Sequence, residues 1–80
     1  MNDELFEHWQ ALESEVSDGI GLTIQLNTES SLATDWIEDF NNEGSYASYK
    51  LIWLLVYHFQ EYGIDGLLED YPEIETIGVK

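Results

Sequence analysis

The sequence predicts a small α+β domain spanning residues 1–80, in the order α-β-α-α-β, with helices packed on one face of a two-stranded sheet. Three observations carry this reading. Apolar residues recur at helical spacing in three segments, one stretch alternates with period two, and the composition is globular despite an extreme charge. Three tryptophans, five tyrosines and three phenylalanines stand in 80 residues that are 44% apolar. Acidic disordered chains lack such residues, because they bury too little surface to offset chain entropy.

Asn2 or Asp3 opens the first helix, about residues 3–17, with Leu5, Phe6, Trp9, Leu12 and Val16 on its apolar face. Glu4, Glu7, Glu15 and Asp18 fall on the opposite face, and Gly19 is expected to end the helix. Ile20 to Leu26 alternates apolar with small or polar residues, the pattern of a half-buried strand. Asn27 to Ser31 is turn chemistry, with Ser30 or Ser31 as N-cap of a second helix, about 32–42. Leu32, Ala33, Trp36, Ile37 and Phe40 face inward on it; Asp35, Glu38 and Asp39 face outward, with Asn42 and Glu43 at its end.

Gly44 breaks the pattern and Ser45 caps a third helix, about 46–62. Tyr49, Ile52, Trp53, Leu55, Val56 and Phe59 cover most of its circumference, which predicts a central helix contacted from several sides. Gly63 is its left-handed cap. Ile64 to Tyr71 reads as a loop or a short extra helical turn closed by Pro72. Ile74 to Val79 reads as a second strand pairing with the first. Most of the aromatic residues are expected in the core.

Signatures of catalysis are absent. The six glycines are scattered singly, so there is no phosphate-binding loop, and His8 and His58 sit on helix flanks without an evident nucleophile. Without cysteine there is no disulfide or thiolate metal site. Asp65-Gly-Leu-Leu-Glu69 lacks the alternating oxygen ligands of a calcium loop. Ser31-Leu32 ahead of a helix invites comparison with acyl carrier proteins. The aspartate that should precede the serine is missing, however, and a strand comes before it. No enzyme activity, cofactor or metal is expected. Leu51 to Tyr57 is too short to span a bilayer, and the acidic N-terminus is unlike a signal peptide. The expected location is the cytoplasm of a bacterial host.

Charge points to function. Seventeen carboxylates face two lysines, Lys50 and Lys80, with no arginine, for a net charge of −15. Such a balance disfavours binding to nucleic acid or anionic membrane directly and favours a cationic protein surface. Helix carboxylates three and four residues apart stand roughly 5–6 Å from one another, near the roughly 7 Å phosphate spacing along a DNA strand. Three sets of partner-binding candidates follow: Asp35, Glu38, Asp39 and Glu43; Glu61, Asp65, Glu69, Asp70 and Glu73; and Glu4, Glu7, Glu15 and Asp18. Adaptation to high salt also yields acidic surfaces, but large apolar residues are typically reduced there and glutamate outnumbers aspartate here.

In its acidic rows and missing arginine the chain resembles small phage- and plasmid-encoded DNA mimics of the anti-restriction, anti-CRISPR and glycosylase-inhibitor type. The resemblance is one of type over the whole chain and carries over no individual residue. It implies an inhibitor that occupies the cationic nucleic-acid-binding surface of a nuclease or CRISPR effector; a homodimer would extend the charged face. The alternative is an immunity protein or antitoxin that neutralises a basic nuclease toxin, through acids gathered around aromatic anchors.

Overall fold

The computed structural model describes residues 2–76. It contains α1 (Asp3–Ile20), β1 (Ile24–Leu26), α2 (Ser31–Glu43), α3 (Tyr46–Asp70) and β2 (Ile74–Thr76), an α+β domain in the expected order. The stretch 77–79, expected to continue the second strand, lies outside the described residues. The radius of gyration is 12.0 Å, close to the value of about 12 Å for a compact chain of this length.

Asn2 caps α1, its Oδ1 accepting from the Leu5 amide at 2.8 Å. Asp3 and Glu4 complement the positive end of the helix dipole. The helix runs three residues further than expected. Gly19 lies inside it, where a Cβ would stand 2.6 Å from Val56 Cγ2 of α3, so this glycine is a close helix–helix contact. The stop is Gly21, whose φ of 78° only glycine adopts cheaply and whose amide donates to the Ser17 carbonyl. The longer helix shortens the strand to three residues.

β1 and β2 pair antiparallel, with Gln25 opposite Glu75. Ile24, Leu26 and Ile74 are buried while Gln25 and Glu75 are exposed, so helices cover one face. The outer edge of β1 is closed by α1. Ser17 Oγ accepts from the Ile24 amide at 3.1 Å and Glu13 Oε2 from the Leu26 amide at 2.7 Å. Trp9 Nε1 donates to the Leu26 carbonyl at 3.1 Å. Helix residues four apart advance about 6 Å and alternate strand residues about 6.7 Å. That near match lets Glu13 and Ser17 meet successive edge amides.

The core joins Trp9, Leu12 and Val16 of α1 with Trp36 of α2 and Leu55 and Leu67 of α3. Trp9 and Trp36 rings meet at 5.1 Å, and Trp36 Nε1 donates to Ser48 Oγ at 3.1 Å. Both buried indole N–H groups are therefore satisfied. Ser30 caps α2 by accepting from the Ala33 amide. Ser45 stands at the start of α3 without a side-chain cap bond.

Gly63, with φ 76° and ψ −179°, interrupts α3 in a backbone region essentially restricted to glycine. Helix resumes over Ile64 to Asp70, a longer element than a loop or single turn. Ile64, Leu67, Leu68 and Tyr71 recur there at helical spacing, and Leu67 is fully buried. The chain bends sharply at this corner. His58 and Asp70 would stand about 18 Å apart on a straight helix, yet His58 Nε2 and Asp70 Oδ2 are 2.9 Å apart.

α3 is not surrounded. Tyr46, Tyr49, Trp53, Leu54, Tyr57 and Tyr62 are exposed, against the expectation that most aromatics are core. Only α1 and α2 pack along this helix substantially. Among the described residues no further element covers the remaining side.

Candidate functional site

Fourteen of the seventeen carboxylates stand on exposed residues. Glu4, Glu7, Glu15 and Asp18 are exposed along α1, and Asp35 and Glu38 along α2, where Asp39 is half-buried. Glu61, Asp65 and Glu69 are exposed on α3. Three members of the expected rows are engaged within the chain. Glu43 accepts from Lys50 Nζ at 2.9 Å, an interaction that raises the lysine above its ordinary value of 10.5. Asp70 approaches His58. Glu73 accepts from Ser31 Oγ at 2.6 Å at the start of α2. That bond, the backbone amide of Glu73 itself and that of Leu32 hold its carboxyl below the ordinary 4.5, against a smaller opposing effect of burial. The row Glu69, Asp70 and Glu73 is thus partly structural. Glu13, absent from the candidate rows, is likewise committed to the edge of β1.

His8 lies on the flank of α1 with its ring 4.9 Å from Phe40. His58 is half-buried on α3. It packs between the rings of Tyr62 and Tyr71 at 4.7 and 5.3 Å, and Asp70 Oδ2 lies off the hydrogen-bonding direction of its Nε2. Among the described residues no group of three or more histidines and carboxylates is arranged to hold a metal ion. Among the same described residues no helix is long and apolar enough to cross a membrane.

The strongest concentration of recognition features is on α3. Tyr46, Tyr49, Trp53 and Tyr57 follow one another at spacings of three and four, which places them on one stripe of the helix. Trp53 is 65% exposed and Tyr49 68%. Trp53 and Tyr57 stack at 5.1 Å with their planes 9° apart. Large aromatic surfaces left in water at contiguous positions mark an interaction face.

Trp53 forms a ridge shared by two grooves. Between α2 and α3 runs a groove of about 410 Å³ where Asp35, Asp39 and Lys50 meet Leu51, Trp53 and Leu54. On the other flank a shallower one of about 620 Å³ brings Glu15 and Asp18 of α1 beside Tyr49, Ile52, Trp53 and Val56. The structure therefore brings Asp35 and Asp39 of one expected acidic row and Glu15 and Asp18 of another beside an aromatic centre expected in the core, while Glu38, Glu43, Glu4 and Glu7 do not line either groove. The available signal was the same i, i+3, i+7, i+11 stripe of aromatic residues along the helix.

Comparison with protein-family models, with curated proteins and with solved structures finds no match to this chain.

Proposed function

We propose that this domain is an acidic inhibitor. It binds the cationic nucleic-acid-binding surface of a DNA-processing or defence enzyme, such as a nuclease or CRISPR effector, and blocks access to DNA. The observation that carries this reading is the outward display of carboxylates in a chain whose only lysines are Lys50 and Lys80. Unneutralised anionic rows on helices offer a cationic cleft what a phosphate backbone offers, and long-range attraction accelerates encounter. Catalysis is not part of the proposal.

A second reading, an immunity protein or antitoxin for a basic nuclease toxin, is favoured by one feature. Acids of α1 and α2 gather around the exposed aromatics of α3, the anatomy of an anchored protein interface.

The test is capture of a basic DNA-binding enzyme at low salt, followed by competition with duplex DNA on the captured protein. Mutually exclusive binding whose association rate falls steeply with salt is expected. A ternary complex with DNA, or a rate indifferent to salt, would overturn direct occupation of the DNA site. A toxin encoded beside this chain and neutralised by it would establish the second reading.

A further inference from the structure

We propose that the α3 ridge docks an arginine-bearing, amphipathic segment of a partner protein, with apolar side chains against Trp53 and guanidinium groups in the two flanking grooves. The inference rests on the proposed function for a cationic partner and adds where and by what chemistry that partner is held.

Charge complementarity selects the occupant. Each groove pairs an apolar wall with two carboxylates from the neighbouring helix, Asp35 and Asp39 on one side, where Lys50 also lines the groove but bonds to Glu43, and Glu15 and Asp18 on the other. A purely apolar segment would desolvate those carboxylates with only Lys50 near Asp39 to offset the charge, which is costly. A second copy would bring the same four carboxylates against themselves between molecules of net charge −15. Nucleic acid is repelled for the same reason. A segment with an apolar stripe flanked by cations fits both features of the face.

The chain already makes this kind of contact within itself. Lys50 Nζ stands 5.6 Å from the centre of the Tyr46 ring while bonding to Glu43 at 2.9 Å. A cation held between an aromatic face and a carboxylate is thus found at the edge of the ridge. Arginine suits the remaining positions better than lysine. Its planar group stacks on tryptophan and tyrosine and can engage a carboxylate through two parallel bonds.

The probe is a synthetic amphipathic peptide with a leucine stripe flanked by arginines, alongside a lysine version and a scrambled version of equal charge. Binding to the full chain is measured by titration calorimetry at physiological salt. The arginine peptide is expected to bind most tightly. Trp53→Ala should weaken it about tenfold or more, as anchor residues at interface centres do. The pairs Asp35→Asn with Asp39→Asn, and Glu15→Gln with Asp18→Asn, should each weaken it more than Glu29→Gln with Glu75→Gln. The last pair removes equal charge from the turn and sheet. Unchanged circular dichroism and melting confirm that Trp53→Ala folds; if it does not, Tyr49→Ala and chemical-shift mapping of the peptide on the wild-type chain provide the same readout.

Affinity indifferent to Trp53, equal losses from all three carboxylate pairs, or a Trp53-dependent dimer in sedimentation would each overturn the proposal. Inhibition of a captured enzyme that competes with DNA yet survives Trp53→Ala would also overturn it, while leaving the proposed function standing. Trp53-dependent peptide binding without DNA competition would support the docking face and count against occupation of the DNA site.

Discussion

Glu13 Oε2 lies 2.7 Å from the amide nitrogen of Leu26, so a helix side chain occupies the place of a missing neighbouring strand. With Ser17 bound to Ile24 and Trp9 to the Leu26 carbonyl, α1 satisfies the outer edge of β1. An unsatisfied strand edge is both an energetic cost and an aggregation hazard.

Glu13→Ala is therefore expected to destabilise the fold by about 1–3 kcal/mol, the cost of leaving a partly buried amide without its charged acceptor. Urea unfolding measures it. Glu15→Gln, one turn face away and exposed, should be neutral or slightly stabilising because it removes repulsion. Equal effects from the two substitutions would mean that the edge bond contributes nothing beyond charge.

Glu73 gives the fold an identifiable acid-sensitive contact. Its carboxyl is held below the ordinary 4.5 in the folded chain, so its contribution is fully present above that value and lost as pH falls through the lowered one. The wild type should exceed Glu73→Gln in melting temperature near neutral pH, with the difference closing in acid. Thermal melts of both proteins from neutral pH down to strong acid check this, and a constant difference would rule out the Ser31 contact as the cause.

At the corner of α3, Gly63→Ala is expected to cost about 1–3 kcal/mol, since a Cβ is strained at its backbone angles. No atom stands within 4 Å of the position a Cβ would take, so the loss would be conformational and not steric. Denaturant midpoints report the magnitude. His58 and Asp70, brought together by this bend, should show altered chemical shifts in the same variant.

On the proposed interface, Glu38→Lys combined with Asp39→Lys should abolish inhibition while leaving circular dichroism unchanged, because Glu38 is exposed and Asp39 only half-buried. Reversal of Glu4 and Glu7, further along α1 from Glu15 and Asp18, should weaken binding less. Affinities of the separate row reversals rank the contributions. Small and equal losses throughout would indicate diffuse electrostatics without a defined epitope.

The sequence by itself determined the element order, the break at Gly63 and the pairing of the two strands, and it narrowed two helix caps to Asn2 or Asp3 and to Ser30 or Ser31, of which the structure uses Asn2 and Ser30. These depend on periodicity and on local backbone chemistry, which short stretches of chain specify. It also determined the charge, from which the proposed class of partner is argued. The end of α1 was misplaced at Gly19, because a glycine there reads locally as a stop; in the fold Gly19 stays helical against Val56 and Gly21 ends the helix. Only the tertiary structure decided which apolar residues are core. Trp36 and Trp53 look alike in sequence, each on an apolar helix face, yet one is 2% and the other 65% exposed. Hydrophobicity records that a side chain gains from leaving water, but not whether this chain or another supplies the cover. Likewise Glu13, Glu15 and Glu73 are indistinguishable as residues. Their separation into a strand-edge acceptor, a groove wall and a helix-start acceptor follows from which backbone amides and aromatic rings the fold brings within reach of each.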